Sequence, residues 1–240
     1  MLVGGPYTEV DGDSHTYGHT AARVMSPDGE TDRVYDFGRY GATRGDYSAE
    51  GDGILQEWDH AFGAYMYTQN LLGRQTDGYT FPATECQFEA AVELMEARKD
   101  EAILENTMEL ASSSPRSEMR RYKLQEDYHG LNNNCTTLSA AVLEEGRPEI
   151  ELDDLDERQG RGMGRAEYYA SKAVEGWPNE IFMPADINEV LKDVSGDDVM
   201  VENWRPTDSG VEHSVSQDPY RTCSPNSPAA ATTPARNESP

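Results

Sequence analysis

Residues 131–146 of the chain, LNNNCTTLSAAVLEEG, decide the fold and suggest the chemistry. Three asparagines form a polar turn, apolar residues then recur at helical spacing, and Gly146 ends the helix. Cys135 therefore stands at a helix start, where unpaired backbone N–H groups and the helix dipole favour a thiolate. This is the setting of a nucleophilic cysteine. A buried structural cysteine behind an asparagine cap is the alternative interpretation.

A hairpin near the start of the chain supplies a partner for this thiol. The sequence predicts strands over residues 15–24 and 33–40, joined by a turn at Asp28 and Gly29. In that register position 21 lies opposite position 36, so His19 and Asp36 share one face as diagonal neighbours. A cysteine hydrolase needs an imidazole that takes the thiol proton and a carboxylate that orients the imidazole. The alternative interpretation is that His19 and Asp36 are solvent-facing strand residues without a catalytic role.

Four further residues are predicted to contact a substrate. His15 and Tyr17 share the strand face of His19, and His15 is the reserve candidate for the base. His129 lies in the approach to the nucleophile and suits an oxyanion or substrate-binding role, while Asn134 directly precedes the nucleophile. A loop histidine without function and an asparagine that only caps the helix are the structural alternatives.

Composition excludes several classes of partner. The 240 residues include 45 acidic and 20 basic side chains, for a formal charge of −25. A charge of that sign repels phosphate backbones and anionic lipid, so we expect neither nucleic-acid binding nor docking on such membranes. The first residues lack the basic and apolar runs of a signal peptide, and no segment has the length of a membrane span. The sequence thus predicts a protein made soluble in the cytoplasm.

The spacing of the cysteines and of the acidic residues predicts no metal site, and the sequence indicates no other cofactor. Cys86, Cys135 and Cys223 have no metal-ligand spacing and no even count, which argues against zinc and against a disulfide framework. The acidic loop over residues 149–157 lacks the spacing of a calcium-binding loop. Cys86 also opens a helix, but the neighbouring Glu85 and Glu89 disfavour its thiolate. Cys135 is therefore the preferred nucleophile.

The domain organisation predicted from the sequence has three parts. Residues 1–14 are an irregular lead-in, residues 15–205 a single catalytic domain, and residues 206–240 a disordered tail rich in Pro, Ser and Thr. Inside the domain, one long helix or two shorter ones cover residues 84–110 behind a Thr84–Gln87 capping box, and a strand covers 120–125. Further helices are predicted over 165–175 and 186–194.

Three of these features together resemble a known family. The GHTA strand at 18–21, the acidic residue on the adjacent strand and the later NCT helix start resemble the circularly permuted papain-like cysteine hydrolases, which include NlpC-type peptidases and amidases and deSUMOylating isopeptidases. In that family the histidine precedes the cysteine in the chain. The resemblance covers residues 15–145. It implies an α+β papain-like fold with an antiparallel sheet packed on helices, and Cys135 as nucleophile, His19 as base and Asp36 as orienting residue.

A narrower resemblance concerns the segment YDFGRY at 35–40. It is similar to the segment found in permuted NlpC-type toxins of type VI secretion, which cleave peptidoglycan peptides. The resemblance implies an amidase or endopeptidase acting as an antibacterial toxin in a target-cell periplasm, with an immunity protein and the secretion apparatus as partners. An isopeptidase or acyltransferase acting on proteins or lipids would use the same chemistry. A non-catalytic binding module is the third hypothesis.

Overall fold

The computed structural model of the protein describes residues 1–8, 12, 14–40, 50–103, 108–109, 117–150, 152, 160–174, 182–207 and 210–217. The strands in this part of the chain are β1 Leu2–Gly4, β2 Tyr7–Thr8, β3 Ser14–His15, β4 His19–Met25, β5 Asp32–Gly38, β6 Glu50–Gly51, β7 Ile54–Asp59, β8 Thr76–Thr80, β9 Lys99–Ala102, β10 Met108–Glu109, β11 Glu118–Leu124, β12 Tyr128–His129, β13 Met200–Thr207 and β14 Gly210–Gln217. The helices are α1 Phe62–Leu71, α2 Glu85–Arg98, α3 Cys135–Gly146, α4 Arg165–Val174 and α5 Pro184–Val194. The α+β class predicted from the sequence is confirmed.

Ten of the strands form one antiparallel sheet. Its order is β10-β11-β7-β5-β4-β1-β8-β13-β14, with β9 also paired to β11. The predicted hairpin is present as β4 and β5, and Ala21 pairs with Asp36 in the register expected from the turn. Because this hairpin lies in the middle of the sheet, the strands β1 and β7 hold it from both sides.

The side chains of this sheet alternate between two packed faces. On one face Ala21 and Val34 belong to a buried cluster with Tyr65 and Met66 of α1. On the other face Ala22 and Tyr35 pack in a cluster with residues of α2 and α3, among them Met95, Leu138 and Val142. Leu138 is 2% exposed, and burying a side chain of that size contributes about 1.5–3 kcal/mol. The buried side of α3 thus fixes the helix start against the sheet.

A third cluster joins α3 to α5. It contains Leu143 of α3, Ile187 and Leu191 of α5, and Tyr79 and Val199 beside them. The helix that begins at Cys135 is therefore packed from two directions, against the sheet and against α5. The predicted extent of α3 over residues 135–146 is confirmed.

Two of the boundaries predicted from the sequence are wrong. The helix predicted over 84–110 starts with the expected Thr84–Gln87 capping box but ends at Arg98, and the chain continues as β9 beside β11. The predicted cap near Asp186 is also displaced, because α5 already begins at Pro184. The strand pairing of β9 with a distant segment overrides the helical periodicity, which is a tertiary effect.

The predicted lead-in and tail also contain strands. Within residues 1–14, β1 lies in the large sheet between β4 and β8, and β2 pairs with β3. Within residues 206–240, the end of β13 and all of β14 form the sheet edge. The prediction of irregular or disordered chain is wrong for these strands, while residues 218–240 lie outside the described residues.

Candidate active site

The start of α3 is built by the residue before the cysteine. Asn134 has an extended backbone, and its Oδ1 accepts hydrogen bonds from the N–H groups of Thr136 at 2.8 Å and Thr137 at 3.2 Å. The Thr137 hydroxyl accepts the N–H of Asn134 in return at 2.8 Å, which completes a capping box. The cap uses the N–H groups of Thr136 and Thr137, and within the described residues the N–H of Cys135 makes no hydrogen bond. It stands at the positive end of the helix dipole, in the same residue as the thiol.

The same asparagine has a structural role that the sequence analysis assigned only as an alternative. Its Nδ2 donates to the carbonyl of Gly130 at 2.7 Å and to that of Phe182 at 3.0 Å. The side chain thus joins the turn before α3 to the segment before α5, and the residue is 3% exposed. Because its donors and acceptor are all used inside the protein, the predicted substrate contact of Asn134 is replaced by a structural role.

His19 and Asp36 form the pair that the hairpin register predicts. His19 Nε2 lies 2.6 Å from Asp36 Oδ1, and the two side chains are 13% and 2% exposed. The short distance and the burial of the carboxylate give a charge-assisted hydrogen bond. Since Asp36 bonds to Nε2, Nδ1 is the ring nitrogen that remains to exchange a proton with another group.

That other group is Cys135, whose side chain is hydrogen-bonded to His19. Burial opposes protonation of His19, but the charges of Asp36 and of the Cys135 thiolate outweigh it and raise the pKa of His19 to about 10. Burial likewise opposes the thiolate of Cys135, but the charge and hydrogen bond of His19 and hydrogen bonds from Thr20 lower the pKa of this thiol to about 7. Between these two values Cys135 and His19 form a thiolate–imidazolium pair.

Asp36 is held by a second hydrogen bond that the sequence analysis did not find. The hydroxyl of Tyr40 donates to the same carboxylate oxygen, Oδ1, at 2.6 Å. Burial would raise the pKa of Asp36, but His19, Tyr40 and the nearby Arg74 together bring this pKa below its ordinary value. Tyr40 lies four positions after Asp36 at the end of the hairpin. An even separation along an extended chain places both side chains on the same face, and this is the feature of the sequence that could have indicated the contact.

Tyr128 of β12 lies within electrostatic range of the Cys135 thiol. Burial and the negative charge of Cys135 raise the pKa of its hydroxyl, which therefore stays protonated. Its ring packs on Phe37 with centroids 5.6 Å apart. The Tyr128 hydroxyl and the N–H of Cys135 are thus two hydrogen-bond donors in the surroundings of the thiol, the kind of group that can stabilise an oxyanion.

The remaining predicted residues have other surroundings. His15 is exposed in β3, outside the sheet that carries His19, and stacks on Tyr7 with ring centroids 4.4 Å apart. The hydroxyl of Tyr17 donates to Glu167 of α4.

His129 accepts two backbone hydrogen bonds at Nδ1, from Leu131 at 3.3 Å and from Asn132 at 3.2 Å. These bonds shape the turn that leads into α3. The structure therefore places His129 in the support of the cysteine helix, and it places His19, not His15, beside Asp36 and Cys135.

Two further properties of the described residues bear on other kinds of site. Within the part of the chain that the structure describes, no group of three or more His, Cys, Asp or Glu side chains is placed to hold a metal ion. Among the same residues, no helix is long and apolar enough to cross a membrane. Cys86, the competing thiol, is exposed on α2.

Comparison with known proteins found no match to a protein family, to a curated protein or to a solved structure. The function is therefore inferred from the residues and geometry of this site together with the sequence resemblance.

Proposed function

We propose that the protein is a cysteine hydrolase of the circularly permuted papain-like type, which cleaves amide bonds in peptidoglycan peptides. One observation carries the proposal. The imidazole of His19 is hydrogen-bonded on one side to Asp36 at 2.6 Å and on the other to Cys135 at the start of α3. Nucleophile, base and orienting carboxylate in a row are the constellation of such enzymes.

The order of these residues along the chain supports the permuted type. The strands β4 and β5 with His19 and Asp36 come first, and the helix with Cys135 follows about a hundred residues later. In the permuted papain-like hydrolases that the sequence resembles, the histidine likewise precedes the cysteine. A helix start that carries the thiol and packs against an antiparallel sheet is the arrangement that the resemblance implies.

In the proposed reaction the Cys135 thiolate attacks the amide carbonyl, and a C–S bond forms. The oxyanion of the tetrahedral intermediate accepts hydrogen bonds from the N–H of Cys135 and from the hydroxyl of Tyr128. His19 then gives its proton to the leaving amine as the C–N bond breaks. Water hydrolyses the resulting thioester, with His19 as the base, and the thiolate–imidazolium pair returns.

The peptidoglycan substrate and the role of an antibacterial toxin come from the sequence resemblance. The YDFGRY segment that carries this resemblance contains both Asp36 and Tyr40, the two residues joined by the 2.6 Å hydrogen bond. In this proposal the enzyme acts in the periplasm of a target cell, is delivered by a secretion apparatus, and is held inactive by an immunity protein in the cell that makes it.

Digestion of purified muropeptides tests the proposal. We expect products with a new amine and a new carboxylate from the wild-type protein and from Cys86→Ala, the matched control with an exposed thiol. We expect none from Cys135→Ala. A reactive Cys135 without products would overturn the peptidoglycan substrate. Equal products from wild type and Cys135→Ala would overturn the cysteine mechanism.

A further inference from the structure

Arg74 is a buried arginine next to the proposed catalytic residues. It lies in the connection between α1 and β8 and is 8% exposed. Its guanidinium carbon stacks on the ring of Tyr7 at 4.6 Å from the centroid, and Nη1 donates to Gln69. Its Nε is buried and has no hydrogen-bond partner in the described part of the chain. A buried cation is costly unless a negative charge balances it.

Arg74 lies beside the His19–Asp36 pair. Its side chain occupies the space where a Cβ of Gly4 would stand, and Gly4 on β1 pairs with His19 on β4. From this place its positive charge acts on the Asp36 carboxylate. Four groups surround this carboxylate: His19 from β4, Tyr40 after β5, the hydroxyl of Tyr65 from α1, and Arg74. The fifth titratable group of the cluster, the Cys135 thiol of α3, contacts the carboxylate only through His19. The two tyrosines are neutral and His19 changes its charge during the reaction. Arg74 is always positive.

The charge of Arg74 matters most after the first half of the reaction. When His19 has given its proton to the leaving amine, the thiolate has become a thioester and the imidazole is neutral. Asp36 is then a carboxylate that is 1% exposed and has lost its positive partner on β4. Without another cation, the free energy of this state is lowered if His19 takes up a proton again, and a protonated imidazole is no base.

We propose that Arg74 is a positioning residue of this site, whose fixed positive charge balances Asp36 at the thioester stage and so keeps His19 neutral and able to accept a proton from water. The proposal rests on the proposed cysteine-hydrolase function. In the step concerned, the water oxygen bonds to the thioester carbonyl, its proton goes to Nδ1 of His19, and the C–S bond breaks. Sγ leaves as the thiolate, so the step needs no further reactant.

The expected effect of removing the charge is a shift of a pH profile. One unit charge at several ångströms, at the effective dielectric constant of about 20 that suits buried sites, shifts a neighbouring pKa by about one unit. Removing the positive charge favours the protonated imidazole. Hydrolysis of the thioester by Arg74→Met should therefore reach half of its maximal rate at a pH about one unit higher than in the wild-type protein.

A small activated ester gives access to this step. p-Nitrophenyl acetate acetylates the thiolate, and mass spectrometry then follows loss of the acetyl group from the Cys135 peptide at a series of pH values. The background carries Cys86→Ser and Cys223→Ser, so that Cys135 is the remaining thiol. We expect the upward shift in Arg74→Met and a midpoint close to wild type in Arg74→Lys, which keeps the charge.

Arg33→Met is the matched control, since Arg33 is a partly buried arginine of β5 that pairs with Glu96 of α2 at 3.0 Å. Its parity places it on the opposite face of the sheet from Asp36. We expect no shift of the midpoint in this variant. A shift of equal size would show that the loss of any buried arginine has this effect and would overturn the role of Arg74.

A second variant covers the case that Arg74→Met does not fold. A Cβ atom at Gly4 would clash with the Cδ of Arg74, so Gly4→Ala displaces the guanidinium without removing it. We expect an upward shift here as well. An unchanged midpoint in the folded variants, with only a lower maximal rate, would overturn the proposal, because a purely structural role lowers the rate without moving the pH profile.

The failure of the proposed function would look different. In that case the wild-type Cys135 would form no thioester, or His19→Ala would form and hydrolyse it at the wild-type rate. A thioester that forms and depends on His19, with the same pH midpoint in all Arg74 variants, would contradict only the role of Arg74.

Discussion

Replacing Asp36 by asparagine removes one charge from the site while it keeps the shape of the side chain. The pKa of His19 is raised from 6.5 to about 10, and Asp36 precedes the Cys135 thiolate among the groups that raise it. If Asp36 supplies at least half of that rise, the pKa of His19 in Asp36→Asn falls by about two units, to about 8. The pKa of Cys135 is about 7 in the wild-type protein. The pH range in which the thiolate and the imidazolium coexist therefore narrows to about one pH unit, from about pH 7 to about pH 8.

The loss of turnover follows from this narrower range. In the Ser-His-Asp proteases the equivalent change costs about 10⁴ in rate, because the asparagine holds the histidine in the wrong tautomer. Here the pair is already ionised before attack, so the carboxylate has less new charge to stabilise. We expect turnover at neutral pH to fall by about 10 to 100-fold, as for other losses of a supporting residue.

Two measurements check this prediction. A nitrogen-15 NMR titration of the histidines reports the pKa of His19 directly, and the alkaline limb of the turnover profile reports it in the working enzyme. Asp32→Asn is the control, because Asp32 lies on the same strand and pairs with Arg23 at 2.7 Å. A His19 that still titrates near 10 in Asp36→Asn, or turnover equal to wild type, would refute the assignment of Asp36.

Four further predictions concern single groups. Cys135→Ala and His19→Ala should each remove turnover, and the double variant should be hardly worse than either single variant in a rate assay. Cys135 should react with iodoacetamide near neutral pH faster than Cys86, and more slowly in His19→Ala; equal labelling of both thiols in a peptide map would contradict the lowered pKa. Burial raises the pKa of Asp186 from 3.8 to about 6. The protonated carboxyl therefore stabilises the fold fully below pH 3.8, and this contribution is lost as the pH rises through 6. Denaturant titrations should show that Asp186→Asn gains stability relative to wild type between these pH values, and a stability difference that does not change with pH would contradict this. Asn134→Ala removes the cap of α3 and should lower the free energy of unfolding by about 1 kcal/mol or more in the same titration, with wild-type stability as the contrary result.

The hairpin could be predicted because its information is local. The turn at Asp28 and Gly29 sets the register, and alternation along the strands then places His19 and Asp36 on one face. The start of α3 was predictable for the same reason, since the asparagine cap and the apolar spacing lie within sixteen residues. Both halves of the proposed site thus have short-range signals, although their contact joins residues far apart in the chain.

Arg74 and Tyr65 could not be predicted in this way. Tyr65 is one of several aromatic residues between 58 and 81, which favour burial without indicating a polar contact, and Arg74 follows in a loop without a recognisable motif. Both lie near Asp36 because α1 packs on the face of the sheet to which Ala21 and Val34 also point. A single sequence does not state which helix covers which face of a sheet.

The errors in the elements have the same physical origin. Residues 99–102 read KDEA, which continues a charged helix face, yet they pair with β11. Residues 2–4 are too short to predict as a strand, and β1 exists because β4 and β8 bond to it on both sides. Pairing with distant strands determines these segments, so local propensity gave the wrong element.

The most direct test of the central claim uses intact peptidoglycan in water enriched in oxygen-18, analysed by mass spectrometry. If Cys135 forms a thioester that water hydrolyses, the wild-type protein releases peptides whose new carboxylate carries one heavy oxygen, and Cys135→Ala releases none. The same labelled peptides from Cys135→Ala, or unchanged peptidoglycan with an active wild-type thiol, would contradict the account.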